Sequence, residues 1–122
     1  MLLTGQSFDG LRVILGDDDE PELVCLRRGA EVPIDGLSDG TKDQLFLALR
    51  LATIAEVSIG LESLPLILDD VVANFDEERT RLALQLLAEV GSSMQVLLFT
   101  HQERVVDLAR EIGLAPGAII TL

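Results

Sequence analysis

The stretch Leu64-Pro65-Leu66-Ile67-Leu68-Asp69-Asp70 constrains the fold of this chain more than any other. A proline introduces a short apolar run, and two adjacent carboxylates close it. A run this short suits one strand of a parallel sheet, buried on both faces, better than a helix, which needs more length. Such a strand ends at the carboxyl edge, where an open α/β sheet presents its ligands. Successive residues of a strand alternate faces, so Asp69 and Asp70 are expected to point in opposite directions. Two like charges side by side are awkward unless they share a cation. Mg²⁺ is the natural third party, held by one carboxylate while the other meets a second target. The alternative is an ordinary strand followed by an acidic turn.

The segments around this run repeat one alternation. Thr41 to about Ile59 is rich in Leu and Ala with no breaker, which predicts a helix of roughly five turns. Leu45, Phe46, Leu47, Ala48, Leu49, Leu51 and Ala52 cover most of its circumference, so it should be largely buried, and Gly60 should stop it. Asp76 is the expected N-cap of a second helix, with Glu77 and Glu78 at the positive end of its dipole. Leu82, Leu86, Leu87 and Val90 mark the apolar face of that helix, and Gly91 ends it. Met94 to Phe99 is a second buried strand, Gln102 to Ile112 a third helix, and Ala118 to Leu122 a last short strand. The order helix–strand–helix–strand–helix–strand from residue 37 onward implies an α/β layer with a mostly parallel sheet.

The front of the chain reads differently. Residues 1 to 10 carry no clear period and should lead in from something upstream. Leu11 to Leu15 and Glu22 to Leu26 are strands around the acidic turn Gly16-Asp17-Asp18-Asp19-Glu20-Pro21, and Ala30 to Ile34 adds a short third. No glycine and distal glutamate follow the aspartates at the spacing of a calcium-binding EF-hand, so the turn reads as a solvated hairpin. The expected organisation is a small antiparallel β meander over residues 1–36 and an α/β lobe over residues 37–122.

Charge narrows the possible partners. The formal net charge is −12, and Lys42 is the only lysine. So acidic a surface repels phosphate backbones, which argues against direct nucleic-acid binding by this chain alone. The only aromatic residues are four phenylalanines, so no platform for stacking bases is visible. No apolar stretch is long enough to span a bilayer. Cys25 is the only cysteine, which excludes an internal disulfide and fits a reducing, cytoplasmic setting.

Two further features are expected at the edge where Asp69 and Asp70 lie, or facing it. Ser38-Asp39-Gly40 opens a helix, and free N–H groups at a helix start favour phosphate. The Ser38 hydroxyl can donate a further hydrogen bond, and Gly40 allows close approach; the plain alternative is an ordinary N-cap. Thr100-His101 follows the second strand, where the only histidine could donate to a terminal phosphate or simply sit in a surface turn.

Taken in order, these pieces resemble the C-terminal half of an ABC-type ATPase head of the coiled-coil, SMC-like kind. The likeness is strongest to YhaN-type ATPases and, in the paired aspartates, to RecF. Leu37-Ser38-Asp39-Gly40-Thr41 is similar to the family's signature loop, and Lys42 to Ala52 to its signature helix. Leu66-Ile67-Leu68-Asp69-Asp70 looks like the Walker B strand of a P-loop NTPase. Ala73-Asn74-Phe75-Asp76 looks like the D-loop, and Phe99-Thr100-His101 resembles the segment carrying the switch histidine.

The resemblance implies ATP and Mg²⁺ as cofactors and assigns roles residue by residue. Asp69 would hold the metal through water, Asp70 would polarise the attacking water, and His101 would contact the γ-phosphate in cis. Ser38, Asp39 and Gly40 would meet a nucleotide on the other head of an ATP-sandwich dimer, while Asn74 and Asp76 would couple the two sites. Family members act on DNA ends, chromosomes or repair intermediates, and with so acidic a chain DNA is expected as a partner only indirectly.

Three departures stand out. Asp39 and Thr41 replace a glycine and a glutamine of the usual signature, and Asp70 replaces a commoner glutamate. No G-x-x-x-x-G-K-[ST] loop occurs in the sequence. The expected partner is therefore an N-terminal half that carries the Walker A loop and is separated from this half by a coiled coil. A receiver-type phosphoacceptor is a poorer match, because the later strand ends in Thr100-His101 where a lysine is needed. The remaining alternative is a non-catalytic, ATPase-derived dimerisation module.

Overall fold

The computed structural model describes residues 8–57 and 64–122. Three antiparallel strands come first: β1 (Gly10–Leu15), β2 (Pro21–Arg27) and β3 (Ala30–Pro33), in that spatial order. The β1–β2 register runs from Gly10 opposite Leu26 to Leu15 opposite Pro21, and the acidic segment forms the connecting turn. Asp19 adopts φ 59° in that turn, and Arg28 and Gly29 adopt φ 51° and 77° in the next. Both turns thus use left-handed residues, which suit the twist of a hairpin.

Helix α1 (Asp39–Val57) follows a short 3₁₀ turn, Ile34–Gly36. Its unbroken apolar character has a specific cause. Leu47 and Leu51, four residues apart, join the main core, whereas Leu45 and the partly buried Leu49 join a second cluster with Cys25 and Phe8 of the meander. The helix is a wall shared by two cores. It is less enclosed than its composition suggests, because Phe46 is 45% exposed. The end of this helix near Ile59, its stop at Gly60 and the lead-in over residues 1–7 fall outside the described residues.

Strand β4 (Leu66–Asp69) pairs in parallel with β5 (Val96–Phe99), and α2 (Glu77–Val90) makes the crossover between them. Helix α3 (Glu103–Glu111) follows. One face of this two-stranded sheet, Leu66, Leu68, Val96 and Leu98, packs on a core that includes Val72, Phe75, Ala83, Leu84, Leu87, Val105 and Leu108. The opposite face is uncovered: Ile67 is 62%, Leu97 38% and Phe99 45% exposed. The expectation of strands buried on both faces is therefore corrected. The residue pattern is that of a central strand, but among the described residues only one layer of helices lies against it.

Asp76 caps α2 as expected, its side chain accepting from the Arg79 backbone N–H at 2.9 Å. Such a cap contributes about 1 kcal/mol. Arg81 of α2 pairs with Glu77 one turn earlier in the same helix and with Glu111 of α3. Only the second pair links the two helices, and both are exposed and add little stability. The last expected strand, Ala118 to Leu122, is not formed. Pro116–Ala118 is a 3₁₀ turn, and the residues after it are irregular, with Ile120 and Leu122 exposed. A short apolar run does not make a strand unless a neighbouring edge accepts its hydrogen bonds. None does so among the described residues.

Candidate functional site

The carboxyl edge of the β4–β5 pair carries the first group of residues. Asp69 lies opposite Phe99 in the ladder, on the uncovered face, with its side chain exposed. The ladder continues one step further, through the Asp70 N–H to the Phe99 carbonyl at 2.8 Å. At Asp70 the chain then turns sharply, with φ 51°. Aspartate tolerates this left-handed conformation better than most residues. The simple alternation expected for the two aspartates does not extend to Asp70, because it has left the strand. Its carboxylate instead faces the next strand end, with one oxygen 3.4 Å from His101 Nδ1. Its other oxygen, Oδ1, is buried and has no hydrogen-bond partner among the described residues. His101 is largely open to solvent, its side chain 81% exposed.

The second group gathers where α1 begins. Ser38 is its N-cap: the hydroxyl accepts from the Thr41 backbone N–H at 3.3 Å and shares a hydrogen with the Thr41 hydroxyl at 2.8 Å. Ser38 and Asp39 are exposed, whereas Gly40 is buried. A Cβ on Gly40 would lie 2.7 Å from the Asn74 carbonyl oxygen, so the backbone of the loop after β4 presses directly on the helix start. Asn74 also donates from its side-chain amide to Asp43 of α1 at 2.7 Å.

The loop of residues 70–76 thus spans both groups. Its first residue stands beside His101, its Asn74 touches α1, and its Asp76 caps α2. The described residues include no cluster of three or more His, Cys, Asp or Glu side chains that could hold a metal by themselves. Mg²⁺ in nucleotide sites is held by one or two carboxylates plus phosphate oxygens and water, and Asp69 with Asp70 supplies that number. The unpartnered Asp70 Oδ1 is a buried acceptor of the kind a cation or an ordered water satisfies.

Thr41, Asp43 and Arg104 escaped sequence reasoning. Thr41 sits three residues after the cap, at the position from which a side chain reaches back to an N-cap, so its contact with Ser38 was legible in principle. Arg104 was not. From α3 it donates to the carbonyls of Phe75 and Ala73, at 3.0 Å and 3.4 Å, across about thirty residues of sequence.

No protein-family model matches the chain. It is 34% identical over 96 residues to the uncharacterized protein YhaN of Bacillus subtilis (strain 168), a match covering 78% of this chain and 10% of that protein. It is 33% identical over 98 residues to the DNA double-strand break repair Rad50 ATPase of Pyrococcus abyssi (strain GE5 / Orsay), covering 80% of this chain and 11% of that one. The chain therefore spans about a tenth of the length of the curated relatives it matches.

Two solved structures are similar in fold. One comes from work on ATP-driven dimerization and DNA-stimulated activation of SMC ATPases, with a TM-score of 0.64 at 19% identity, covering 88% of this chain and 67% of that one. The other is the Smc head domain with an extended coiled coil bound to the C-terminal domain of ScpA, derived from Pyrococcus furiosus. Its TM-score is 0.59 at 19% identity, covering 88% of this chain and 28% of that one. These likenesses show an α/β fold like that of the Smc head domain, here as a small antiparallel sheet beside a two-stranded parallel one.

Proposed function

Because this chain is related to the SMC-like ATPase heads, we propose that it forms the C-terminal lobe of such a head and serves ATP-driven head dimerisation in DNA repair or chromosome maintenance. The observation that carries this reading is the double attachment of loop 70–76. One end sets Asp70 beside His101 at the sheet edge, and Asn74 meets the Ser38-capped start of α1. An ATP-sandwich dimer needs such an arrangement, with one patch serving the head's own nucleotide, a second serving the partner's, and a linker between them.

In this reading Asp69 would hold Mg²⁺, and Asp70 would orient and polarise the attacking water. His101 reports the terminal phosphate in cis. Bound Mg²⁺ would supply charge neutralisation for the β- and γ-phosphates. The exposed start of α1, with Ser38 and Asp39 at its surface and the Gly40 backbone behind them, meets the γ-phosphate carried by the second head. Asn74 and Asp76 couple the two sites. The uncovered sheet face of Ile67, Leu97 and Phe99 supports an N-terminal lobe, bearing the Walker A loop, as the layer that completes the sheet. The formal net charge of −12 leaves DNA contacts to other parts of the assembly. Among the described residues no helix is long and apolar enough to cross a membrane, and the reading assigns the head to the cytoplasm.

The test is the mass of a head assembled from this chain and a Walker A-bearing lobe, with and without ATP. Ser38→Arg should leave single-head nucleotide binding in place and abolish the ATP-dependent dimer. Ser38→Ala loses the cap, at about 1 kcal/mol, without the bulky cation, and should still dimerise. A Ser38→Arg head that dimerises like the parent contradicts the assignment of this helix start to the partner's nucleotide.

A further inference from the structure

We propose that Arg104 is a positioning residue that locks the loop after β4 to the turn after β5, so that Asn74, Asp76 and His101 move as one unit. The proposal rests on reading those two loops as parts of one nucleotide site. Its basis is the set of bonds that one guanidinium makes. Arg104 Nε donates to Gln102 Oε1 at 2.8 Å, and Nη2 donates to the Phe75 carbonyl at 3.0 Å and the Ala73 carbonyl at 3.4 Å. Nη1 lies 3.4 Å from the hydroxyl oxygen of Thr80, whose proton is already given to the Asp76 carbonyl at 2.7 Å, leaving a lone pair to accept.

The geometry explains why the bond set matters. No backbone amide among the described residues bonds the carbonyls of Ala73 or Phe75, so their side-chain partner is this arginine. Gln102 in turn belongs to the turn that carries His101, its N–H donating to the Thr100 hydroxyl at 3.1 Å. The guanidinium is planar and presents its donors as a rigid fork. The fork thus bridges the Gln102 side chain and the two loop carbonyls, so loss of either end frees the other. On the other side the same loop is fixed by Asn74 to Asp43. A displacement at the His101 turn thus passes through Gln102 and Arg104 to residues 73–76, and from there to α1.

The experiment uses the isotope-labelled chain and follows the amide resonances of residues 73–76 by nuclear magnetic resonance. The perturbation is Gln102→Ala, whose side chain reaches the loop through Arg104. It should move those resonances in the parent and in an Arg110→Gln background, since Arg110 lies on the same helix and pairs with Asp107 instead. The response should be lost in Arg104→Gln. It should be lost equally in Arg104→Lys, which keeps the charge and lacks the fork. A response that persists in either Arg104 variant, or that is absent from the parent, overturns the proposal. The readout needs no nucleotide, so it stands apart from the ATPase reading, which turnover tests separately.

Discussion

Replacing Gly40 with alanine tests the contact between α1 and the loop after β4. In an open helix this change stabilises, because alanine is better than glycine by roughly 0.5–1 kcal/mol. Here the added methyl would stand 2.7 Å from the Asn74 carbonyl oxygen and 3.2 Å from Arg79 Nη1. The arginine tip can swing aside. The carbonyl cannot, because the neighbouring bonds of Asn74 to Asp43 and of Arg104 to Phe75 hold the loop. Overpacking of this kind costs about 1–3 kcal/mol, which outweighs the propensity gain and leaves a net loss of roughly 1–2 kcal/mol. With a urea dependence of about 1–3 kcal/mol per molar, the unfolding midpoint should fall by roughly 0.3–2 M. Far-ultraviolet circular dichroism over a urea series reads this directly. Gly36→Ala is the control, since nothing lies within 4 Å of the Cβ it would add. A Gly40→Ala midpoint equal to or above that of the parent would refute the reasoning.

Three other outcomes follow from the same description. The chain alone should hydrolyse ATP no faster than buffer, since its sequence holds no Walker A loop. Phosphate release that depends on Mg²⁺ and disappears in Asp69→Ala would contradict this. Duplex DNA should bind only weakly at about 150 mM salt, because the chain has few cations with which to release counterions; a titration giving micromolar affinity or better would count against it. Cys25 is buried, and burial pushes its thiol pKa up. The folded value thus lies above the unfolded one of roughly 8.5, so this contribution is fully present below that pH and is lost as pH rises through the folded value. Compared with Cys25→Ala, the parent should lose stability more steeply in alkali, and a thiol reagent should label it only in denaturant. Rapid labelling of the native chain would show that the thiol is accessible.

The sequence made the elements legible where local chemistry alone decides them. Asp76 as a cap, Gly91 after α2 and the strand run ending in Asp69 can each be read from a few neighbouring residues. The resemblance of four ordered motifs pointed to the same fold that the structural comparisons give. What stayed hidden depends on distance along the chain. The two cores flanking α1 could not be separated, because Leu45 and Leu47 differ only in which neighbour covers them. The same holds for β4: Ile67 has the character of a buried strand residue, yet what lies on its face is decided elsewhere. Ala118 to Leu122 failed as a strand because pattern does not supply a pairing edge. Within the candidate site, Ser38 and Asp70 stood out by residue type, while Asp43 and Arg104 became visible only when their partners on the loop were in place.

The most direct measurement of the central claim is steady-state phosphate release by a head assembled from this chain and a Walker A-bearing lobe, comparing the parent with Asp70→Asn. Asparagine keeps the size of the side chain beside His101 and removes the charge proposed to polarise water. Nucleotide binding, followed in parallel, should be nearly unchanged, while hydrolysis should slow by about 10²–10⁴-fold, the usual loss when general-base assistance is removed. Equal turnover by parent and variant would contradict the assignment of Asp70 as the catalytic carboxylate.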